Sequence, residues 1–107
     1  MDKTIIETVK EWFSRESGGS LSLPDGWFGR PYDNRHSLTS FAQTSDGYEL
    51  ILDKTIKINF DDIKYALDNK NELCIGGYGI CRFAWKEFDD GMPNFKIYNE
   101  GEIKLIK

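Results

Sequence analysis

Gly47-Tyr48-Glu49-Leu50-Ile51-Leu52-Asp53-Lys54-Thr55-Ile56-Lys57-Ile58-Asn59-Phe60 is the stretch whose periodicity decides the fold. Tyr48, Leu50 and Leu52 alternate with Glu49, Ile51 and Asp53. Ile56, Ile58 and Phe60 alternate with Lys57 and Asn59. A period of two puts each apolar set on one face of a half-buried strand. Thr44-Ser45-Asp46-Gly47 just before it is a hairpin turn, because Asp-Gly accepts the positive φ such turns need.

Outward from there, the same grammar runs over residues 38–107, which read as a β-meander. Leu38-Thr39-Ser40-Phe41-Ala42 starts a strand. After Asp61-Asp62, the residues Ile63, Tyr65 and Leu67 read as another; Ile63, Ala66 and Leu67 would also fit a short helix, but turn residues at hairpin spacing on both sides favour the strand. Asp68-Asn69-Lys70-Asn71 turns the chain. Glu72 to Gly76 and Ile80 to Phe88 flank Gly77-Tyr78-Gly79 as a further hairpin. Asp89-Asp90-Gly91-Met92-Pro93 and Asn99-Glu100-Gly101 set off the last two strands. Turns this closely spaced indicate an antiparallel sheet or roll of about six to eight strands rather than a parallel α/β fold.

Residues 3–16 are the helix. Ile5, Val9, Trp12 and Phe13 fall on one face of a 3.6-residue period, with Ile6 and Glu16 flanking. Asp2 caps its start, Glu11 and Arg15 pair at i, i+4 on the outer face, and Ser17-Gly18-Gly19-Ser20 ends it. A helix this short is marginal alone, so its stripe is expected against the domain's own sheet. The fold class is α+β: one domain, an N-terminal amphipathic helix packed on a mostly antiparallel sheet.

The chain has 107 residues, 39% of them hydrophobic and 14% aromatic, enough for one core and too few for two. Its formal charge of -4 argues against nucleic-acid binding, which rests on neutralising phosphates. One histidine and two cysteines exclude a standard zinc site and a disulfide framework. No apolar run approaches the roughly 18 residues of a membrane span, and Met1 to Phe13 has no uninterrupted apolar core of a signal peptide. The expectation is a cytoplasmic protein with reduced thiols and no cofactor.

Between helix and strands lies a segment, 17–37, without usable periodicity. A loop that long inside one domain is often functional. Pro24-Asp25-Gly26 is a turn. Around it stand Trp27, Arg30, Tyr32, Asp33, Arg35 and His36, the candidate ligand- or partner-binding residues. Rigid aromatics and arginines supply contact area and charge-assisted hydrogen bonds at low entropy cost. Trp27 and Tyr32 would stack on a ring or an anchor side chain, while Arg30 and Arg35 would take a carboxylate or phosphate. The structural alternative is a plug, pinned over the open end of the sheet by Trp27, Phe28 and Tyr32.

His36 with Asp33 would give an imidazole oriented as a general base, with Ser37, Ser40 or a cysteine as nucleophile. No nucleophile motif such as G-x-S-x-G accompanies them. A hydrogen-bonded structural histidine is the expectation, and no catalytic residue is assigned. If 76–79 forms a hairpin loop, Cys74 and Cys81 stand opposite each other, near enough for a redox bridge; two small buried thiols are the plainer reading. The glycines there lack the lysine and helix of a phosphate loop. Trp85 is expected in the core, facing Trp12 and Phe13. Asp61-Asp62 and Asp89-Asp90 are turn residues that could steer a basic partner, and neither sits in a calcium-loop frame.

Leu23-Pro24-Asp25-Gly26-Trp27-Phe28-Gly29-Arg30-Pro31-Tyr32-Asp33-Asn34-Arg35-His36-Ser37-Leu38-Thr39-Ser40 is similar to a segment of a small family of proteins from low-GC Gram-positive bacteria. In that family an LPDGWxGRPYDNxHxLTS-like stretch leads into an antiparallel sheet, and a later R-F-x-W stretch corresponds to Arg82-Phe83-Ala84-Trp85. The resemblance implies a bacterial source and this sheet. It carries no known activity, ligand or catalytic residue. Two functions are expected in order. The first is non-catalytic interaction with another protein, in the manner of an acidic immunity or inhibitor protein. The alternative is a small-molecule binder or minor enzyme using the Trp27 to His36 loop.

Overall fold

Apolar residues of two sheets and one helix form a single buried cluster in the computed structural model, which describes residues 4–16, 18–28, 36–85 and 94–106. The helix α1 is Ile5–Glu16. The strands are β1 (Ser20–Leu23), β2 (Gly26–Trp27), β3 (Leu38–Thr44), β4 (Gly47–Leu52), β5 (Ile56–Phe60), β6 (Tyr65–Asp68), β7 (Glu72–Gly76), β8 (Cys81–Trp85), β9 (Asn94–Tyr98) and β10 (Glu102–Ile106). They make two five-stranded antiparallel sheets, the first in order β2-β1-β10-β7-β6 and the second in order β3-β4-β5-β8-β9. The α+β class stands. The single meander of six to eight strands does not: the described residues hold ten strands, and the chain changes sheet three times after β3.

The alternation that decided the strands also decides the faces. Leu50, Leu52, Ile58, Phe60 and Phe83 of the second sheet are buried, as are Leu21, Leu73, Ile75, Ile103 and Leu105 of the first. Each such side chain stabilises the fold by roughly 1.5–3 kcal/mol relative to exposure. Tyr65–Asp68 forms strand β6 and no helix, while residues 61–64, Ile63 among them, precede it without regular structure.

The segment 17–37 is less irregular than its composition suggests. Ser20-Leu21-Ser22-Leu23 alternates, and four residues suffice for β1 because it pairs with β10 at the far end of the chain. Pro24-Asp25-Gly26 is then the turn into β2. Asp25 also reaches the second sheet, accepting hydrogen bonds from Lys96 Nζ at 3.1 Å and Tyr98 Oη at 2.9 Å. The edges at β2 and β9 are thereby tied together. At the opposite side α1 lies against both β6 and β3 and spans the gap between the two sheets.

Thr4 caps the helix, its Oγ1 accepting the Glu7 N–H at 3.1 Å; Asp2, the expected cap, lies outside the described residues. Arg15 reaches Asp68 at 2.7 Å and Glu16 at 3.1 Å. Trp12 is fully buried, donates Nε1–H to the Lys70 carbonyl at 3.2 Å, and packs edge-on against Phe13. Gly19 passes so close beneath the indole that a Cβ there would come within 2.8 Å of it. The position admits glycine alone without a shift of the ring.

Two further expectations are corrected. β7 and β8 belong to different sheets, so Cys74 stands across from Leu67 and Lys104 while Cys81 stands across from Phe60 and Tyr98. Both thiols are free and buried. The reason is Gly77-Tyr78-Gly79. Both glycines adopt positive φ, the Tyr78 ring turns into the core, and its hydroxyl donates to the Glu100 carbonyl at 2.9 Å. That conformation carries the chain from one sheet to the other instead of reversing it. Trp85 is half-buried and packs on Phe28 and Phe83 rather than on the helix. No helix is long and apolar enough to cross a membrane among the described residues.

Candidate functional site

The segment that sequence singled out is fixed at both of its described ends. On one side, Phe28 leaves β2 and meets the rings of Phe83 at 5.2 Å, Trp85 at 5.5 Å and His36 at 5.6 Å. On the other, His36 exchanges backbone hydrogen bonds with Gly19, at 2.8 and 3.0 Å. The chain therefore leaves and returns at one aromatic cluster on the end of the second sheet. Trp27, one residue before this anchor, pairs with Ser22 on the outer face of the first sheet and is 47% exposed. Arg30, Tyr32, Asp33 and Arg35 lie outside the described residues.

His36 is largely covered, its side chain 11% exposed. The carboxylate found on it is that of Asp53: Nδ1–H donates to Asp53 Oδ2 at 2.6 Å. Asp53 Oδ1 takes the Ser37 N–H at 2.9 Å and the Ser37 hydroxyl at 3.1 Å. Burial works to raise the Asp53 carboxyl, but the Ser37 N–H, the His36 ring and the Ser37 hydroxyl outweigh it, and the group lies below the ordinary carboxylate range. Ser37, one candidate nucleophile, thus spends its proton on the carboxylate and not on the imidazole. This is the wiring of a structural clasp between the loop base and the β4–β5 turn.

Sequence reasoning missed Asp53 and Trp85 as parts of this cluster; Phe28 it named as a residue pinning the segment over the sheet. For Asp53 a signal existed. Asp53, Lys54 and Thr55 connect β4 to β5, and the first two adopt positive φ, at 53° and 64°. Successive turn residues of this hand are usually Asn-Gly. An Asp-Lys pair there marks a turn kept for its side chain. Phe28 and Trp85 come together only because the ring of Phe28, just past β2, folds onto the Phe83 and Trp85 rings of the other sheet, which no spacing along the chain encodes.

Elsewhere the chemistry is sparse. Among the described residues no three His, Cys, Asp or Glu side chains converge into a metal site. Burial, and for Cys74 the Glu72 carboxylate 2.8 Å from Sγ, pushes both thiols up to about 12. Thiols so raised are poor nucleophiles. Two open clefts lie on the outer face of the second sheet. Asp46, Tyr48, Glu49 and Asp61 line one, and Lys54, Lys57, Ile51 and Trp85 line the other. No protein family, curated protein or solved structure matches the chain.

Proposed function

We propose that this domain is a non-catalytic interaction protein of the bacterial cytosol, an acidic inhibitor-type protein whose partner is another protein docking on Trp27 and the residues that follow it. The observation that carries the reading is the exposure of Trp27 directly beside a rigid anchor. Large exposed aromatics on pre-organised backbone bind at low entropy cost. Arg30, Tyr32, Asp33 and Arg35 are the further candidate contacts in this reading. The net charge of -4 favours a partner with basic surface. The free thiols Cys74 and Cys81 suit a reducing compartment. The bacterial setting comes from the resemblance of residues 23–40.

The test is capture from the native host by immobilised protein, wild type beside Trp27→Ala. A stoichiometric partner held by the wild type and lost by the variant is the expected result. Absence of any stoichiometric partner, or one held equally after Trp27→Ala and Arg30→Ala, would sink the reading.

The short His36–Asp53 contact favours a second reading, a small-molecule site at the loop base with His36 as proton carrier. It predicts ligands that stabilise the wild type in a thermal-shift screen and fail to stabilise His36→Gln. If the two respond alike, His36 is no part of a site.

A further inference from the structure

The outer face of the second sheet carries two kinds of surface that a folded chain usually covers: exposed apolar side chains, and charges without partners. Cross-strand register sets two rows there. One is Phe95, Ala84, Lys57 and Ile51; the other is Ile97, Arg82, Asn59 and Glu49, each running across β9, β8, β5 and β4. Phe95 is 68% and Ile97 60% exposed, and among the described residues their strand β9 pairs with β8 alone. Lys54 and Lys57 stand at one end of this face, Asp46 and Glu49 at the other. Among the described residues none of these four side chains forms an ion pair, whereas Arg82 is already held by Asp61 at 2.6 Å.

We propose that a second copy of this chain covers this face, in a two-fold dimer whose axis runs across the strands. Such an axis reverses strand direction and preserves strand order. It lays β9 on the mate's β9, so that Phe95 meets Ile97 and Ile97 meets Phe95. It also carries the lysine end of each copy over the carboxylate end of the other, bringing Lys54 and Lys57 to Asp46 and Glu49 twice over. An axis along the strands would set lysine over lysine, and repulsion rejects it. A foreign partner of one sign would satisfy one end only; a second copy satisfies both. Five strands about 4.8 Å apart and about five residues long project on the order of 400 Å² per copy. The joint of about 800 Å² in total falls under the roughly 1,000 Å² that a stable specific interface clears, so the dimer is a weak and transient one. Association is expected to be concentration-dependent and to weaken with salt. The face lies on the other sheet from the one that carries Trp27, so this dimer stands or falls apart from the partner-binding reading.

Sedimentation velocity on the full chain, from low micromolar to high micromolar concentration, tests it. A mass rising from monomer toward dimer is the expected result. Ile97→Asp should weaken association by roughly tenfold or more, and its thermal midpoint under dilute conditions shows that the variant is folded. Lys57→Glu and Glu49→Lys should each weaken self-association, and an equimolar mixture of the two should recover it, because each supplies the charge the other lacks. A monomer at every concentration overturns the proposal. So does a dimer indifferent to Ile97→Asp, or a mixture that associates no better than its components.

Discussion

Asp53 holds together three things that are far apart in sequence: the imidazole of His36, the backbone and hydroxyl of Ser37, and a hairpin turn in the left-handed region. Replacing it by Ala removes the charged acceptor of the His36 Nδ1–H, the Ser37 N–H and the Ser37 hydroxyl. A loss of about 2–3 kcal/mol is expected, read from urea denaturation at neutral pH, because the removed acceptor was charged. Asp53→Asn should cost less, since asparagine keeps an acceptor and tolerates positive φ. The pH dependence follows from the direction of the shift. The folded carboxyl lies below its unfolded value of about 3.9, so its contribution is fully present above that pH and is lost as pH falls through the lower folded value. The stability gap between wild type and Asp53→Asn should close as pH falls into the acid range. A gap unchanged at low pH would mean that the carboxylate charge does not hold the clasp.

The elements differ in how plainly the sequence announces them. α1, β4 and β5 follow from periodicity, because each buries one face and one only. β1 and β2 are four and two residues long, too short for the alternation in β1 to announce a strand; they exist because β10 offers β1 a partner. The β4–β5 turn is strained, and the alternation on either side of it does not announce that. Lys54 sits at φ 64°, where a Cβ is disfavoured by roughly 1–2 kcal/mol. Lys54→Gly should therefore raise unfolding free energy by about 1 kcal/mol in dilute solution, after allowing for glycine's looser unfolded state. Thermal melts would show this as a higher midpoint. An unchanged or lower midpoint would mean that the bond from the Lys54 N–H to Thr39 Oγ1, at 2.8 Å, already fixes this turn.

For the whole molecule, the helix is the bridge that lets two sheets share one core. Trp12 is its fully buried centre, resting on Gly19 and bonded to Lys70. Trp12→Ala should lose about 3–5 kcal/mol, a large part of the stability of a domain this size, with both sheets melting together. Trp12→Phe keeps most of the packing but leaves the Lys70 carbonyl without the indole donor, and should cost less than half as much. Backbone amide exchange separates the alternatives: uniform loss of protection in β3 and β6 fits a shared core, while loss confined to one sheet contradicts it.

By itself the sequence determined the class of the fold, the helix and most of the strands, because these rest on local periodicity and turn chemistry. The Cys74 and Cys81 pairing, the sheet to which each strand belongs, the partner of His36 and the place of Trp85 were decided only by tertiary structure. Each depends on which strands meet across the core. Two positive-φ glycines around Tyr78 were enough to send the chain to the other sheet, and with it every contact that a continuous meander would have made.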